Sequence, residues 1–220
     1  MNILLITTTF VTFFASYLFG SIPFGLWLVN WQTGQDIRLI GSGRTGTTNT
    51  LRAAGYPIAI LTFILDMVKS AAGVWLARWL VPGQIWTEVL APIAVIVGHN
   101  YSIFLLEWDE RGRPRLRGGA GGASALGGTI GLWPPSILIL LPVGILIYFG
   151  VGYASVATMS IGLIATLIFG VRAWLGLSSW IYVAYGLLAE VLLLWALRPN
   201  IKNLLNGAER GIGWRARHKN

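Results

Sequence analysis

A chain of 220 residues that is 55% hydrophobic and only 11% charged excludes a soluble globular protein and points to a single membrane-embedded domain over residues 1–220. The absence of cysteine excludes disulfides, thiolate nucleophiles and cysteine-ligated metals. The net charge of +8 lies mostly in segments flanking apolar runs, as the positive-inside rule requires, and so argues for a membrane and against nucleic acid as the partner.

Taken in chain order, residues 3–30 are apolar and long enough to cross a bilayer. Gly20-Ser21-Ile22-Pro23-Phe24-Gly25 interrupts the run, and a proline there bends the helix, either as a kink of the kind membrane helices tolerate or as an opening of backbone polar groups toward a nearby site. The segment 31–55 is too polar to span. Within it Gly41-Ser42-Gly43-Arg44-Thr45-Gly46-Thr47-Thr48-Asn49-Thr50-Leu51-Arg52 combines glycines, hydroxyls, an amide and two arginines. That composition suits a phosphate cradle: tight turns expose N–H groups, and the guanidinium groups supply fixed positive charge.

The second span, 56–81, carries Asp66 and Lys69, which share a helix face at this spacing and can pair. Ionisable groups at that depth face a bundle interior or a wet cavity. A third span is expected over 86–107, with Glu88 near one end and Gly98-His99-Asn100-Tyr101-Ser102 near the other. Residues 107–117 are the most charged stretch and read as a solvated loop whose arginines suit anionic headgroups or a phosphate. Gly118-Gly119-Ala120-Gly121-Gly122 is a second glycine-rich turn.

From 122 to 198 the chain is almost continuously apolar, with breaks that give passes at about 122–132, 135–150, 154–171 and 177–197. The first two are short, so a half-helix or a strongly tilted one is expected there. Glu190 is a further buried carboxylate candidate. The tail holds Arg198, Lys202, Arg210, Arg215, Arg217 and Lys219 against the single carboxylate Glu209. These elements give the expected fold class: an all-α polytopic membrane protein of seven passes. Charge asymmetry puts the N-terminus outside, and the C-terminus and both glycine-rich loops inside.

Several motifs match in letters only. Gly41-x-Gly43-x-x-Gly46 has dinucleotide-fingerprint spacing but follows a membrane span instead of a sheet strand. A P-loop would need lysine where Thr47 stands, and a histidine–aspartate acyltransferase dyad would need aspartate at Phe104. No metal cluster and no cofactor motif is apparent.

Ser21 to Gly25, Gly41 to Arg52, Asp66 with Lys69, Gly98-His99 to Ser102, Tyr153-Ala154-Ser155 and Asn200 to Glu209 together resemble, in order and spacing, one family. It is that of the bacterial integral-membrane glycerol-3-phosphate acyltransferases that use acyl-phosphate as donor. The resemblance implies transfer of a fatty acyl group to the 1-hydroxyl of glycerol-3-phosphate, giving lysophosphatidic acid for phospholipid synthesis. It implies no cofactor, acyl-phosphate and glycerol-3-phosphate as partners alongside membrane lipid, and a site on the cytoplasmic face of the bacterial plasma membrane. It further implies catalytic roles for Ser42, Arg52 and Asn200, and substrate or phosphate binding at Gly41, Gly43, Thr48, Asn49, Ser155, Gly118, Gly119 and Gly121. Asp66, Lys69, His99 and Ser102 are the expected supporting residues.

Three positions depart from the family pattern. Ala120 stands for a lysine in the second glycine loop, Leu197 for a histidine before Asn200, and Gly152 for an arginine before Tyr153. Hydrogen bonds to charged groups are each worth about 1.5–3 kcal/mol, so these losses are expected to slow the reaction unless the arginines at 111–117 replace the charge. An alternative reading follows: a catalytically impaired paralogue that binds or transports a phosphorylated lipid or a small anion.

Overall fold

The computed structural model describes residues 3–217; Lys219 of the basic tail lies outside the described residues. The first apolar run is two helices, α1 (Ile3–Ser21) and α2 (Phe24–Thr33), broken at Pro23. The expected consequence of the break is present. The freed carbonyls of Ser21 and Ile22 accept hydrogen bonds from Ser102 Oγ (2.5 Å) and Lys69 Nζ (3.2 Å). α3 (Thr47–Leu80) begins inside the first glycine-rich loop and changes direction at Gly55, whose φ of 78° is non-helical, two residues before Pro57. The polar segment and the second span therefore meet where the sequence divides them.

α4 (Ile85–Asn100) stops short of the expected 86–107. Ser102–Trp108 is instead a strand, β1, paired antiparallel with β2 (Pro114–Arg117), with Glu107 opposite Arg115. The charged stretch is thus a hairpin and not an irregular loop. Asp109 closes its turn by accepting from the backbone N–H groups of Arg111 and Arg113, both at 2.9 Å. Pairing decides this: with Arg115 opposite Glu107 and Arg117 ion-paired to it, 103–108 is held beside the arginines at the solvated end and does not continue α4. As a hairpin, the segment leaves Ile103, Phe104, Leu106 and Trp108 exposed, and Arg117 pairs with Glu107.

α5 (Gly122–Leu132), at 11 residues, is about 16 Å long, roughly half a bilayer. Its glycines make it an interior helix. A Cβ on Gly127 would lie 1.9 Å from the Met67 carbonyl oxygen, and one on Gly128 would lie 2.2 Å from Tyr185 Oη. Small residues allow this closeness where no hydrophobic driving force acts between helices. The same device joins α1 to α4: a Cβ on Gly20 would meet the Val95 carbonyl at 2.2 Å, and one on Gly98 the Tyr17 carbonyl at 2.2 Å.

α6 (Ile137–Val151) is largely exposed along one flank. α7 (Ala154–Trp174) and α8 (Ile181–Leu205) lie against each other, and α8 runs past the expected 197 to carry Asn200 on its last turns. By length and composition, five segments of the described residues are able to span: Ile3–Thr33, Thr47–Leu80, Pro134–Val151, Ala154–Trp174 and Ile181–Leu205. α4 and α5 are shorter.

The core runs between α3, α4, α5, α7 and α8 and includes Val74, Val89, Ile96, Leu126, Phe169, Tyr185 and Leu193. At one end Arg78 Nε pairs with Glu88 at 2.9 Å and donates through its Nη atoms to the carbonyls of Gly131 and Leu132, while Tyr182 Oη donates to Glu88. Glu88 and Arg78 together therefore tie α3, α4, α5 and α8 to one another. Glu190 faces the backbone of α7 at Gly162 and lies on neither cavity described below.

Candidate active site

The opposite end of the bundle gathers the N-termini of α3, α5 and α7 and the C-terminal ends of α4 and α8. None of these three N-termini is capped by a side chain; their cap residues are Gly46, Gly121 and Tyr153. Uncapped first-turn N–H groups and the positive ends of helix dipoles together favour an anion.

The first glycine loop wraps around Asn49. Its Nδ2 donates to the carbonyls of Ile37 (3.2 Å), Ile40 (2.9 Å) and Arg44 (2.9 Å), and its Oδ1 accepts from the Ser42 N–H (3.1 Å). The amide is spent on shaping the loop, and the side chain is buried. Gly41 and Gly43 have φ of 58° and 69°, and a Cβ on Gly41 would lie 2.3 Å from Asn49 Oδ1. Just upstream, Asp36 caps a short 3₁₀ turn by accepting from the Arg38 N–H at 2.8 Å, and its ion pair with Arg38 holds its carboxyl below the usual range.

The second glycine loop lies across His99. The Gly119 N–H donates to the His99 carbonyl at 2.8 Å, the Thr45 N–H to the Gly118 carbonyl at 3.3 Å, and Gly121 is left-handed at φ 88°. A Cβ on Gly118 would lie 2.2 Å from the His99 carbonyl oxygen, so only glycine fits. Beneath the loops sits a buried triad. Lys69 Nζ is 2.8 Å from Asp66 Oδ1 and 2.9 Å from His99 Nδ1, with Nδ1 3.4 Å from Oδ1. An ammonium only donates, so the shorter contact makes Nδ1 an acceptor and leaves Nε2 as the donor atom. Ser102 does not join this group. Its hydroxyl bonds the Ser21 carbonyl and clamps β1 to α1.

Two cavities meet here. One, of about 420 Å³, is walled mainly by apolar groups, including Ile60, Phe63, Leu126, Leu140, Leu141, Ile145, Phe149 and Ile161. Gly121, Thr48, Ser155, Asp66 and His99 also border it. The other, of about 430 Å³, is polar and carries Arg115, Arg117, Arg198 and Arg210 together with Gly41, Gly43, Gly118 and Gly119. Ser42, Arg44, Arg52, Asn200 and Glu209 border both. At this junction Glu209 Oε1 accepts from Ser155 Oγ (2.7 Å) and Asn200 Nδ2 (2.9 Å), and Asn200 Oδ1 accepts from Arg44 Nη2 (3.3 Å).

The structure therefore brings Ser42, Arg52 and Asn200 to one place and lays the glycine loops around them. Ala120 and Leu197 lie on the wall of the apolar cavity. Of the hairpin arginines, only Arg115 and Arg117 reach the polar cavity; Arg113 is held in the turn by Asp109 at 2.8 Å. Near Gly152 a tail side chain takes the space: a Cβ there would meet Arg215 Cδ at 2.9 Å, and the Arg215 guanidinium stacks on the Tyr153 ring at 4.7 Å. Glu209 was not expected at the junction, although a lone carboxylate in a basic tail was an available signal. Arg44 was expected as one of the two guanidinium groups of the first glycine-rich loop, but not its reach to α8.

Residues 10–207 match the family model described as glycerol-3-phosphate acyltransferase. The chain is 36% identical to the glycerol-3-phosphate acyltransferase of Thermus thermophilus over 211 residues, covering 93% of this chain and 96% of that one. It is also 36% identical to that of Rubrobacter xylanophilus, over 91% and 93% of the two chains. Crystal structures of PlsY, an integral membrane glycerol 3-phosphate acyltransferase, superpose with TM-scores of 0.78 for the glycerol 3-phosphate form and 0.79 for the lysophosphatidic acid form. Identities are 28% and 27%, each over 93% of this chain and over 96% and 95% of those chains. With a family model matching residues 10–207 and relatives 36% identical over 91–93% of its length, the chain belongs to the glycerol-3-phosphate acyltransferase family.

Proposed function

We propose that the protein transfers a fatty acyl group from acyl-phosphate to the 1-hydroxyl of glycerol-3-phosphate, releasing inorganic phosphate and lysophosphatidic acid. The observation that carries this reading is the meeting of an apolar and a cationic cavity at Ser42, Arg44, Arg52, Asn200 and Glu209. An acyl chain suits the first and phosphate groups suit the second, so the carbonyl carbon joining them falls at the junction.

The acceptor oxygen attacks that carbon, the bond from carbon to the phosphate oxygen breaks, and the acceptor's proton passes to a substrate phosphate oxygen. An acyl-phosphate is already activated, so the protein needs to supply only position and charge stabilisation. Arg52 neutralises the departing phosphate, and Ser42 with the first-turn N–H groups of α3 donates to its oxygens. Asn200, oriented by Glu209 and Ser155, holds the acceptor. Thr48 and the second glycine loop (Gly118, Gly119, Gly121) complete the cradle, while Gly41, Gly43 and Asn49 fix its shape. Asp66, Lys69 and His99 support the loops from below, with Ser102 holding the hairpin to α1.

The proposed setting is a single domain in the bacterial plasma membrane, with α4 and α5 completing seven passes, the N-terminus outside, and the C-terminus and the site on the cytoplasmic side. Tryptophans exposed toward both ends of the bundle, such as Trp79, Trp86, Trp174 and Trp180 at one and Trp31, Trp108 and Trp214 at the other, support two interfaces. The absence of cysteine makes topology directly testable. In intact spheroplasts a cysteine at Leu177 is expected to react with an impermeant maleimide and one at Glu110 only after lysis; the opposite pattern overturns the orientation.

The reaction is tested with purified protein, palmitoyl-phosphate and glycerol-3-phosphate, following phosphate release and product formation. Release that depends on glycerol-3-phosphate and is not replaced by acyl-coenzyme A supports the reading. No release above that of Arg52→Ala sinks it.

A further inference from the structure

The guanidinium of Arg44 is only half used. Its Nη2 donates to the Ala196 carbonyl at 2.5 Å and to Asn200 Oδ1 at 3.3 Å, which fixes the plane of the group against α8. Its Nη1 is buried and has no hydrogen-bond partner among the described residues. Nor does any carboxylate among the described residues form an ion pair with Arg44. A buried, charged donor without a partner is costly, and an arginine held by one nitrogen presents the other as a fixed fork for an oxyanion.

The backbone around it is equally fixed. The Arg44 carbonyl accepts from Asn49 Nδ2 at 2.9 Å, and the next residue is tied to the second glycine loop through Thr45 N–H and the Gly118 carbonyl. Burial lowers the guanidinium from its ordinary pKa, helped by Arg198 and opposed by Tyr101 and Glu209, but an arginine remains charged in this setting.

A second, independent observation points to the same cavity. Asn100, 4% exposed, borders the polar cavity, and neither its Oδ1 nor its Nδ2 has a hydrogen-bond partner among the described residues. Two separate polar side chains on this cavity thus carry unspent hydrogen-bonding capacity, which a ligand with both acceptor and donor atoms satisfies.

We infer that Arg44 is a substrate-binding residue: its Nη1 edge receives a phosphate dianion where the two cavities meet, with Asn100 answering polar atoms of the same ligand. This rests on the acyl-transfer reading for the identity of the phosphate, which belongs either to the acceptor, glycerol-3-phosphate, or to the acyl-phosphate donor. Arg44 borders the same apolar cavity as Ala120 and Leu197, so it supplies positive charge to a wall where those side chains supply none.

The test uses full-length protein in nanodiscs. Binding of glycerol-3-phosphate and of inorganic phosphate is measured by calorimetry without turnover, and KM for each substrate by phosphate release, for wild type, Arg44→Gln, Arg44→Lys and Asn100→Ala. Loss of a charged, partly desolvated contact predicts about tenfold to a hundredfold weaker phosphate binding in Arg44→Gln, with partial recovery in Arg44→Lys. A KM rise confined to glycerol-3-phosphate assigns the acceptor; one confined to acyl-phosphate assigns the donor; either supports the inference.

If Arg44→Gln does not fold, Arg44→Lys is read alone, since it keeps the charge and loses the fork. A lowered melting temperature with phosphate binding and both KM values within twofold of wild type makes Arg44 a strut between the loop and α8 and overturns the inference. Wild type that binds phosphate through Arg44 yet transfers nothing sinks the reaction but not this site. An active wild type whose Arg44 variants bind normally sinks the site alone.

Discussion

Arg52→Ala is expected to lower kcat for phosphate release by about two to three orders of magnitude, the scale seen when one preorganised donor to a developing oxyanion is removed. Arg52 stands on the second turn of α3, borders both cavities, and forms no ion pair with a carboxylate among the described residues. Its charge is therefore available to substrate. It also lies beside the uncapped N-terminus of α3, so removing it leaves only the weaker partial charge of the helix dipole. Arg52→Lys keeps the charge but not the fork, and a recovery of part of the lost rate is expected. The measurement is steady-state phosphate release with both substrates saturating. A kcat within threefold of wild type removes Arg52 from the chemistry.

Asp66→Ala is expected to cost about 3–5 kcal/mol of stability, the usual consequence of leaving one member of a buried ion pair without the other. The side chains of Asp66 and Lys69 are each 2% exposed, with Nζ 2.8 Å from Oδ1. Among the described residues, the ammonium also bonds His99 and the Ile22 carbonyl freed by the break at Pro23. The double variant Asp66→Ala/Lys69→Met should recover more than half of the loss, because no unpaired charge then remains in the interior. Denaturant titration of the detergent-solubilised protein measures both. A single variant within 1 kcal/mol of wild type, against the cost expected for an unpaired buried charge, contradicts the pairing. Activity is expected to fall in the double variant even where stability returns. His99 loses the ammonium that orients Nδ1, and the second glycine loop, packed on the same ring, loses its support.

Those two residues were readable before any coordinates because their spacing is local. Asp66 and Lys69 are one helical turn apart, and a helix of any tertiary placement would bring them together. The break at Pro23 was legible for the same reason, since a fixed φ acts on its own few residues, whereas the bend at Gly55, between the polar segment and the second span, appeared only in the structure. The first glycine loop was legible as a cradle from composition, and the second only as a glycine-rich turn.

Residues 102–108 were not legible in this way. An apolar run beside a charged one satisfies both a helix end and one strand of a hairpin, and the choice depended on β2 returning with Arg115 opposite Glu107. α5 was foreseen as short, but its place in the core depends on backbone contacts with α3 that only packing creates.

The sequence by itself determined the membrane class, the family and most of the chemistry-bearing residues, because those are carried by composition and by motifs whose parts lie within a turn or a loop of one another. Only the tertiary structure decided that Glu209 orients Asn200 and Ser155, that Arg44 crosses from the first loop to α8, and that Arg215 fills the space at Gly152. Those contacts join residues up to 156 positions apart. Their partners are chosen by how helices pack, and no local pattern of hydropathy or charge records that choice.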